Sequence, residues 1–291
     1  METLTRERQK DRTDEEERAL EERAQKLVDS QLSGLNKTPR KPKAKASEAR
    51  LGGGMVTVGK QVLVDSKGGG DFLEVSSAVS AAKDGDVINI MPGTYKGNFR
   101  VSCQLSLVGR PNMQHGSVIL EHKGREPLLA AIGPDAALKI EQLILRHRGF
   151  KNNYEHSALL VEGGASVGIV GTGLTCTDAN CIMVRGHGSK LSLKSCQVYD
   201  GGRCGIELLS GATLTAEATK VSGNGWSGIE VSQGAAASLQ RCVVTKNKMF
   251  GVHFKASSSG LLDKNTVNAH SAIYGDIKID PEAKVEDTNR E

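Results

Sequence analysis

ALLVEGGA at 158–165, CIMVRGHG at 181–188, GIELLSGA at 205–212, GIEVSQGA at 228–235 and GVHFKASS at 251–258 are five versions of one segment. Their starts recur about every 23 residues, a period that marks a solenoid. Within each unit an alternating segment (Ile206, Leu208; Ile229, Val231; Val252, Phe254) leads through a Gly or Ser turn into a second one (Leu191, Leu193; Leu214, Ala216; Ala237, Leu239). Alternation with period two is the pattern of short half-buried strands. A third set keeps the spacing as well, with Val198, Val221, Val244 and Val267 in one column and Cys196, Thr219, Cys242 and Asn265 two positions before them.

One coil of about 23 residues cannot bury its own inward side chains, whereas stacked coils about 4.8 Å apart place like residues in ladders and share a core. The periodicity is neither that of a leucine-rich repeat nor the short period of helical repeats. The expected architecture is therefore an all-β parallel β-helix, right-handed because parallel crossovers almost always are. Composition agrees. Only 3% of the residues are aromatic, and 34 of the 291 are glycine, as suits a thin core lined by Val, Ile, Leu and small residues.

The net charge of +4 does not by itself imply a nucleic-acid partner. No apolar run is long enough to span a bilayer, and METLTRERQKDRTDEEER at the start has no apolar centre of a secretion signal. The expectation is a cytoplasmic protein with reduced cysteines, with the nucleus as the alternative location. Cys196 and Cys242 share a column two coils apart, about 9.5 Å, which is beyond disulfide reach. Cys103, Cys176, Cys181 and Cys204 show no CxxC spacing, and no phosphate-binding loop is present, so neither metal nor cofactor is expected.

Residues 1–52 read as a charged tail. Leu20, Ala24, Leu27 and Val28 suit one face of a helix, amphipathic or simply solvated. KTPRKPKAKASEAR at 37–50, rich in basic residues with a single acidic one, reads as a linker, or as a nuclear-import or RNA-contacting patch. The β-helix is expected over 53–280, and 281–291 as a charged C-terminal tail. Val101 to His147 forms less regular coils, and HRGFKNNYEH at 147–156 lengthens one coil to about 29 residues. Long loops on a solenoid are where binding often sits, which makes Phe150 and Tyr154 candidates.

GDF at 70–72, AVSAA at 78–82, DGDVINIMPGTY at 84–95 and Asn98 resemble the opening of the pectin-lyase-like superfamily, pectin methylesterases above all. Its role here is capping, with Leu73, Val75, Ala78, Val79 and Ala82 closing one end of the solenoid. The repeating coils are similar more generally to right-handed β-helix repeats of carbohydrate-active proteins and of certain F-box and cytokinesis proteins. The resemblance implies esterase residues, two aspartates, a glutamine and an arginine on the central coils, but the corresponding positions hold Met183, Glu207, Glu230 and His253. GHG at 186–188 resembles a polygalacturonase motif without its companion segments, and reads as a turn.

What remains is a column. With Ile206, Leu208, Ile229, Val231, Val252 and Phe254 inward, Glu207, Glu230 and His253 must face outward on adjacent rungs, flanked by Arg185 and Lys255. Stacked carboxylates repel unless relieved, and coupled acids can serve as general acid and base. On a solvated sheet such acids simply tolerate each other. Asn224 and Asn247, with Asp200 near the same corner, read as a structural ladder. Trp226, the only tryptophan, is a candidate for sugar stacking or partner docking. The functional expectation is a non-catalytic scaffold presenting a flat face to a protein or glycan partner. The alternative is a divergent polysaccharide-active enzyme using Glu207, Glu230 and His253.

Overall fold

The structure, a computed structural model, describes residues 59–111, 117–149, 156–268 and 274–289. The tail and linker expectations for 1–52, and the candidates Phe150 and Tyr154, lie outside these residues. Among them the chain winds through three parallel sheets. The first has ten strands, from Gln61–Val64 to Lys284–Asp287. The second has eight, from Gly93–Lys96 to Thr266–Asn268, and the third eight, from Phe99–Val101 to Ile277–Ile279.

A coil visits the sheets in turn, as in Lys190–Lys194, Gln197–Tyr199 and Ile206–Leu209. Pairing follows the repeat: Leu159 opposes Ile182, Ile206 opposes Ile229 and Ser166 opposes Lys190, each one repeat further along the chain. Ile144 opposes Gly173, so the lengthened coil has the expected extent. The valines Val198, Val221, Val244 and Val267 form one rung-by-rung column. The inward residues merge into one continuous core running from Val62 to Leu262, and every fully buried Val, Leu or Ile contributes about 1.5–3 kcal/mol.

Each corner has its own chemistry. Between first-sheet and second-sheet strands a single left-handed residue makes the bend: Gln142, Gly171, Ser195, Ala218, Arg241 and Lys264, with φ of 56°, 57°, 52°, 48°, 51° and 53°. The next position is buried, and the coils bond through it. The Cys196 N–H donates to Thr219 Oγ1 at 3.4 Å, and the Cys242 N–H to Asn265 Oδ1 at 2.8 Å. All six cysteines are free thiols; Cys196 and Cys242 are buried in this column.

The asparagine ladder holds the corner before the third sheet. Asn224 N–H and Nδ2 donate to Asn247 Oδ1 at 3.1 and 2.8 Å, and Asn224 Oδ1 accepts the Gly201 N–H at 2.8 Å. The ladder position one coil earlier is thus Gly201 and not Asp200. Asp200 precedes it as a left-handed residue (φ 54°), because the backbone there must turn before it can reach the corner. GHG is a turn between the strands Ile182–Arg185 and Lys190–Lys194, with positive φ at both glycines.

Within the less regular coils, the stretch 137–147 contains two strands, Ala137–Glu141 and Ile144–Arg148, because the left-handed Gln142 bends the chain between sheets. Two local expectations change. The capping helix is Val75–Ala81. Val75 and Ala78 are buried, and Val79 and Ala82 pack against the core, but Leu73 precedes the helix and is 59% exposed. It is no part of the seal. At the other end the solenoid runs beyond residue 280, since Lys284–Asp287 pairs with Ser259–Asp263 as a further first-sheet strand.

Candidate functional site

The outer face of the third sheet carries the candidate residues. Register stacks Met183, Glu207, Glu230, His253 and Lys278 on successive strands. Below Met183 the column continues through Leu160 and Ala130 to Arg100. Outward facing does not make it solvated: Glu230 is only 8% exposed, and Ala130, Leu160 and Met183 form a small buried cluster of their own. A column of acids in bulk-like water is therefore the wrong picture for Glu230.

Polar side chains close around the two carboxylates from both sides. On the loop side, Asn180 Nδ2 donates to Glu207 Oε2 at 2.5 Å while its Oδ1 accepts the Cys204 N–H at 3.0 Å. Cys204 Sγ lies 4.0 Å from Glu230 Oε2. On the other side Lys255 Nζ donates to Glu230 Oε1 at 2.5 Å. His253 links the next rung, with Nδ1 4.0 Å from Glu230 Oε2 and Nε2 3.4 Å from Asp280 Oδ1. Phe250 packs on the His253 ring at 4.7 Å between centroids, and Tyr274 meets Phe250 edge-on at 5.4 Å.

The electrostatics follow from this enclosure. Burial, and then the charge of Glu230, hold the Glu207 carboxyl above its usual range despite Arg203 and the Asn180 bond. Burial pulls the Lys255 ammonium down, but the hydrogen bond and charge of Glu230 outweigh it and leave it raised. Burial and the two glutamates drive the Cys204 thiol far above the ordinary thiol range, so it is not a nucleophile.

Lys255 flanks the column as expected, but Arg185 does not join it. Its guanidinium pairs with Glu162 on the neighbouring strand, Nε to Oε1 at 3.0 Å and Nη2 to Oε2 at 3.1 Å, because that carboxylate sits directly opposite it and Glu207 does not. Trp226 is 39% exposed on the loop side, with the Arg203 guanidinium stacked on it at 3.9 Å. Tyr274, 45% exposed, occupies the same loop two coils on. Sequence reasoning missed Asn180, Cys204, Phe250, Tyr274 and Asp280. The repeat could have found the first three, since Asn180, Cys204, Ser227 and Phe250 share the position just before the unit's first residue. Asp280 lies in the last, irregular coil.

Among the described residues no group of three or more His, Cys, Asp or Glu side chains is arranged to hold a metal ion. Comparison with known proteins identifies the right-handed β-helix region family over residues 180–278. No curated protein matches the chain. Among solved structures, a pectin methylesterase from carrot aligns at 14% identity and TM-score 0.52, covering 77% of this chain and 89% of its own. The Escherichia coli protein ybhc aligns at 10% identity and TM-score 0.49 over 85% of this chain and 90% of its own. A pectate lyase, Pel9A, aligns at 11% identity and TM-score 0.44 over 79% of this chain and 80% of its own. At 14% identity the carrot alignment speaks for the fold alone. With three parallel sheets, regular stacked coils and a helix closing the N-terminal end, the chain is a right-handed parallel β-helix of the pectin-lyase-like fold.

Proposed function

We propose that the protein binds a glycan along the outer face of the third sheet without cleaving it. One observation carries the reading: Glu207, Glu230 and His253 are each engaged by a neighbouring side chain outside the column. Glu230 is held by Lys255, Glu207 by Asn180, and His253 lies beside Asp280. A hydrolase needs one carboxylate free to meet the leaving oxygen and another to meet water or the sugar. The rim of Trp226, Phe250 and Tyr274 supplies flat apolar faces beside polar groups, the combination that receives a sugar ring. A protein partner is the other occupant of the same face, and in this reading the charged N-terminal segment tethers the assembly in the cytoplasm. Calorimetric titration of the full chain with an oligosaccharide panel tests the proposal. Trp226→Ala should weaken binding about tenfold, as expected for loss of one stacking platform, and an unchanged affinity would remove Trp226 from the site.

A second reading rests on the raised carboxyl of Glu207 beside Glu230. This is the pairing of a general acid with a charged partner, and it favours a divergent polysaccharide-active enzyme. Assays on pectin, alginate and related uronates distinguish the two, and equal turnover by Glu230→Gln would exclude this site.

A further inference from the structure

Three of the seven histidines stack inside the solenoid, away from the third-sheet face. His122 and His147 oppose each other on adjacent second-sheet strands, and Cys176 opposes His147 on the next. Ring centroids are 5.5 Å apart for His122 and His147, and 5.3 Å for His147 and His156. His147 and His156 are completely buried.

Their polar atoms are poorly served. His147 Nε2 lies 2.9 Å from the Glu126 carbonyl oxygen and Nδ1 3.5 Å from Cys176 Sγ. Among the described residues, His122 Nε2 and both ring nitrogens of His156 are buried without a hydrogen-bond partner. Buried polar atoms nearly always have partners, so three orphans in one stack call for a reason. Neutral imidazoles bear such a place at moderate cost, since each brings one N–H donor and one acceptor but no net charge. An imidazolium cannot, because it brings two N–H donors and a charge into an apolar wall.

We propose that this imidazole stack is an acid-sensitive clamp: neutral, it closes the wall formed by Val118–Lys123, Ile144–Arg148 and Gly173–Cys176, and protonation of a ring opens that wall. Among the described residues, the titratable groups facing the stack are Glu126, Asp178 and Cys176. Both carboxylates act on the rings through charge, Glu126 on His122 and Asp178 on His147 and His156, while the Glu126 carbonyl bonds His147. Cys176 is neutral, because burial raises its thiol. Burial depresses all three imidazoles, His147 to about 4 against the opposing bond from Glu126.

In the opened wall the rings return to about 6.5, so the open form binds more protons than the closed one. Closure is fully stable above about pH 6.5 and weakens as pH falls from there toward the depressed value of His147, about 4. For His147 alone the opening equilibrium between pH 7.5 and 5.0 shifts by about 15- to 30-fold.

Hydrogen exchange on the full chain at pH 7.5 and 5.0, corrected for the intrinsic pH dependence of exchange, tests the clamp. Amides of 118–123, 144–148 and 173–176 should lose protection by roughly that factor relative to strands within 213–245, and His147→Gln or His156→Gln should shrink the difference. Should neither variant fold, the wild-type contrast between the two regions still decides. Equal acid sensitivity in both regions overturns the proposal, as does a folded His147→Gln chain that keeps the full pH dependence.

Discussion

Glu207 and Glu230 are opposite each other on adjacent rungs, yet their surroundings differ. Glu230 has an ammonium in contact, whereas Glu207 has a neutral amide. The raised Glu207 carboxyl means that its ionised form works against the fold near neutrality, and that its protonated form favours the native state. The variant Glu207→Gln keeps an oxygen acceptor for Asn180 and removes the charge. It should raise the denaturant midpoint at pH 7, and the gain should fade as pH falls toward about 4, where the unfolded carboxyl also takes up its proton. Lys255→Met should do the opposite, leaving Glu230 buried without its cation and costing about 1–3 kcal/mol in chemical denaturation.

Residue-level logic also explains the glycines that open the later repeats. A Cβ at Gly228 would lie 2.6 Å from Asn247 Nδ2 and 2.6 Å from the Gly251 carbonyl oxygen, and one at Gly205 would lie 2.7 Å from Asn224 Nδ2. The ladder asparagine fills the space that a side chain would take. Where the ladder position is itself glycine, at Gly201, the facing residue is Cys181, whose Sγ would lie 3.0 Å from a Cβ at Gly201. Asparagine opposite glycine, and glycine opposite cysteine, are two ways of filling one volume. This complementarity was not legible from either column alone, because it joins positions separated by most of a coil in the sequence.

At the scale of the element, every corner stores strain, at Asp200 and Ser210 as well as at the bend between the first and second sheets. Five of the six left-handed residues at that bend carry a Cβ, at about 1–2 kcal/mol each. Ala218→Gly relieves that cost but adds backbone freedom to the unfolded chain, so a net gain of about 0.5–1 kcal/mol is expected in equilibrium unfolding. Gly228→Ala has no such room, and should lower stability by about 2 kcal/mol or more through overpacking. The strands themselves were legible from alternation wherever the coils repeat regularly. They were less legible over 137–147, where the apolar pattern runs straight through the bend at Gln142, and beyond 280, where Lys284–Asp287 alternates only weakly. Partners of the site residues were hidden for a different reason. Period two fixes which face a side chain occupies, whereas Arg185 takes the Glu162 directly opposite it and Lys255 reaches diagonally to Glu230 from the neighbouring outward column.

For the whole molecule, three sheets divide the work. The first and second contribute a core and strained, hydrogen-bonded corners, with a histidine stack in the wall of the early coils. The third presents a face that is apolar over Ala130, Leu160 and Met183 and polar over Glu207, Glu230 and His253. Its aromatic edge grows from loops one coil apart, so a ligand lying along it would run parallel to the solenoid axis and meet successive side chains about 4.8 Å apart. An extended chain of sugars can satisfy such a repeat, whereas a compact small molecule would use only one rung. The most direct measurement is to incubate the purified full chain with oligosaccharides of increasing length and follow both binding and product formation in the same samples. Affinity should rise with chain length and fall about tenfold in Trp226→Ala, and every oligosaccharide should stay intact. New reducing ends or unsaturated products that disappear in Glu207→Gln would contradict it and establish the catalytic reading in its place.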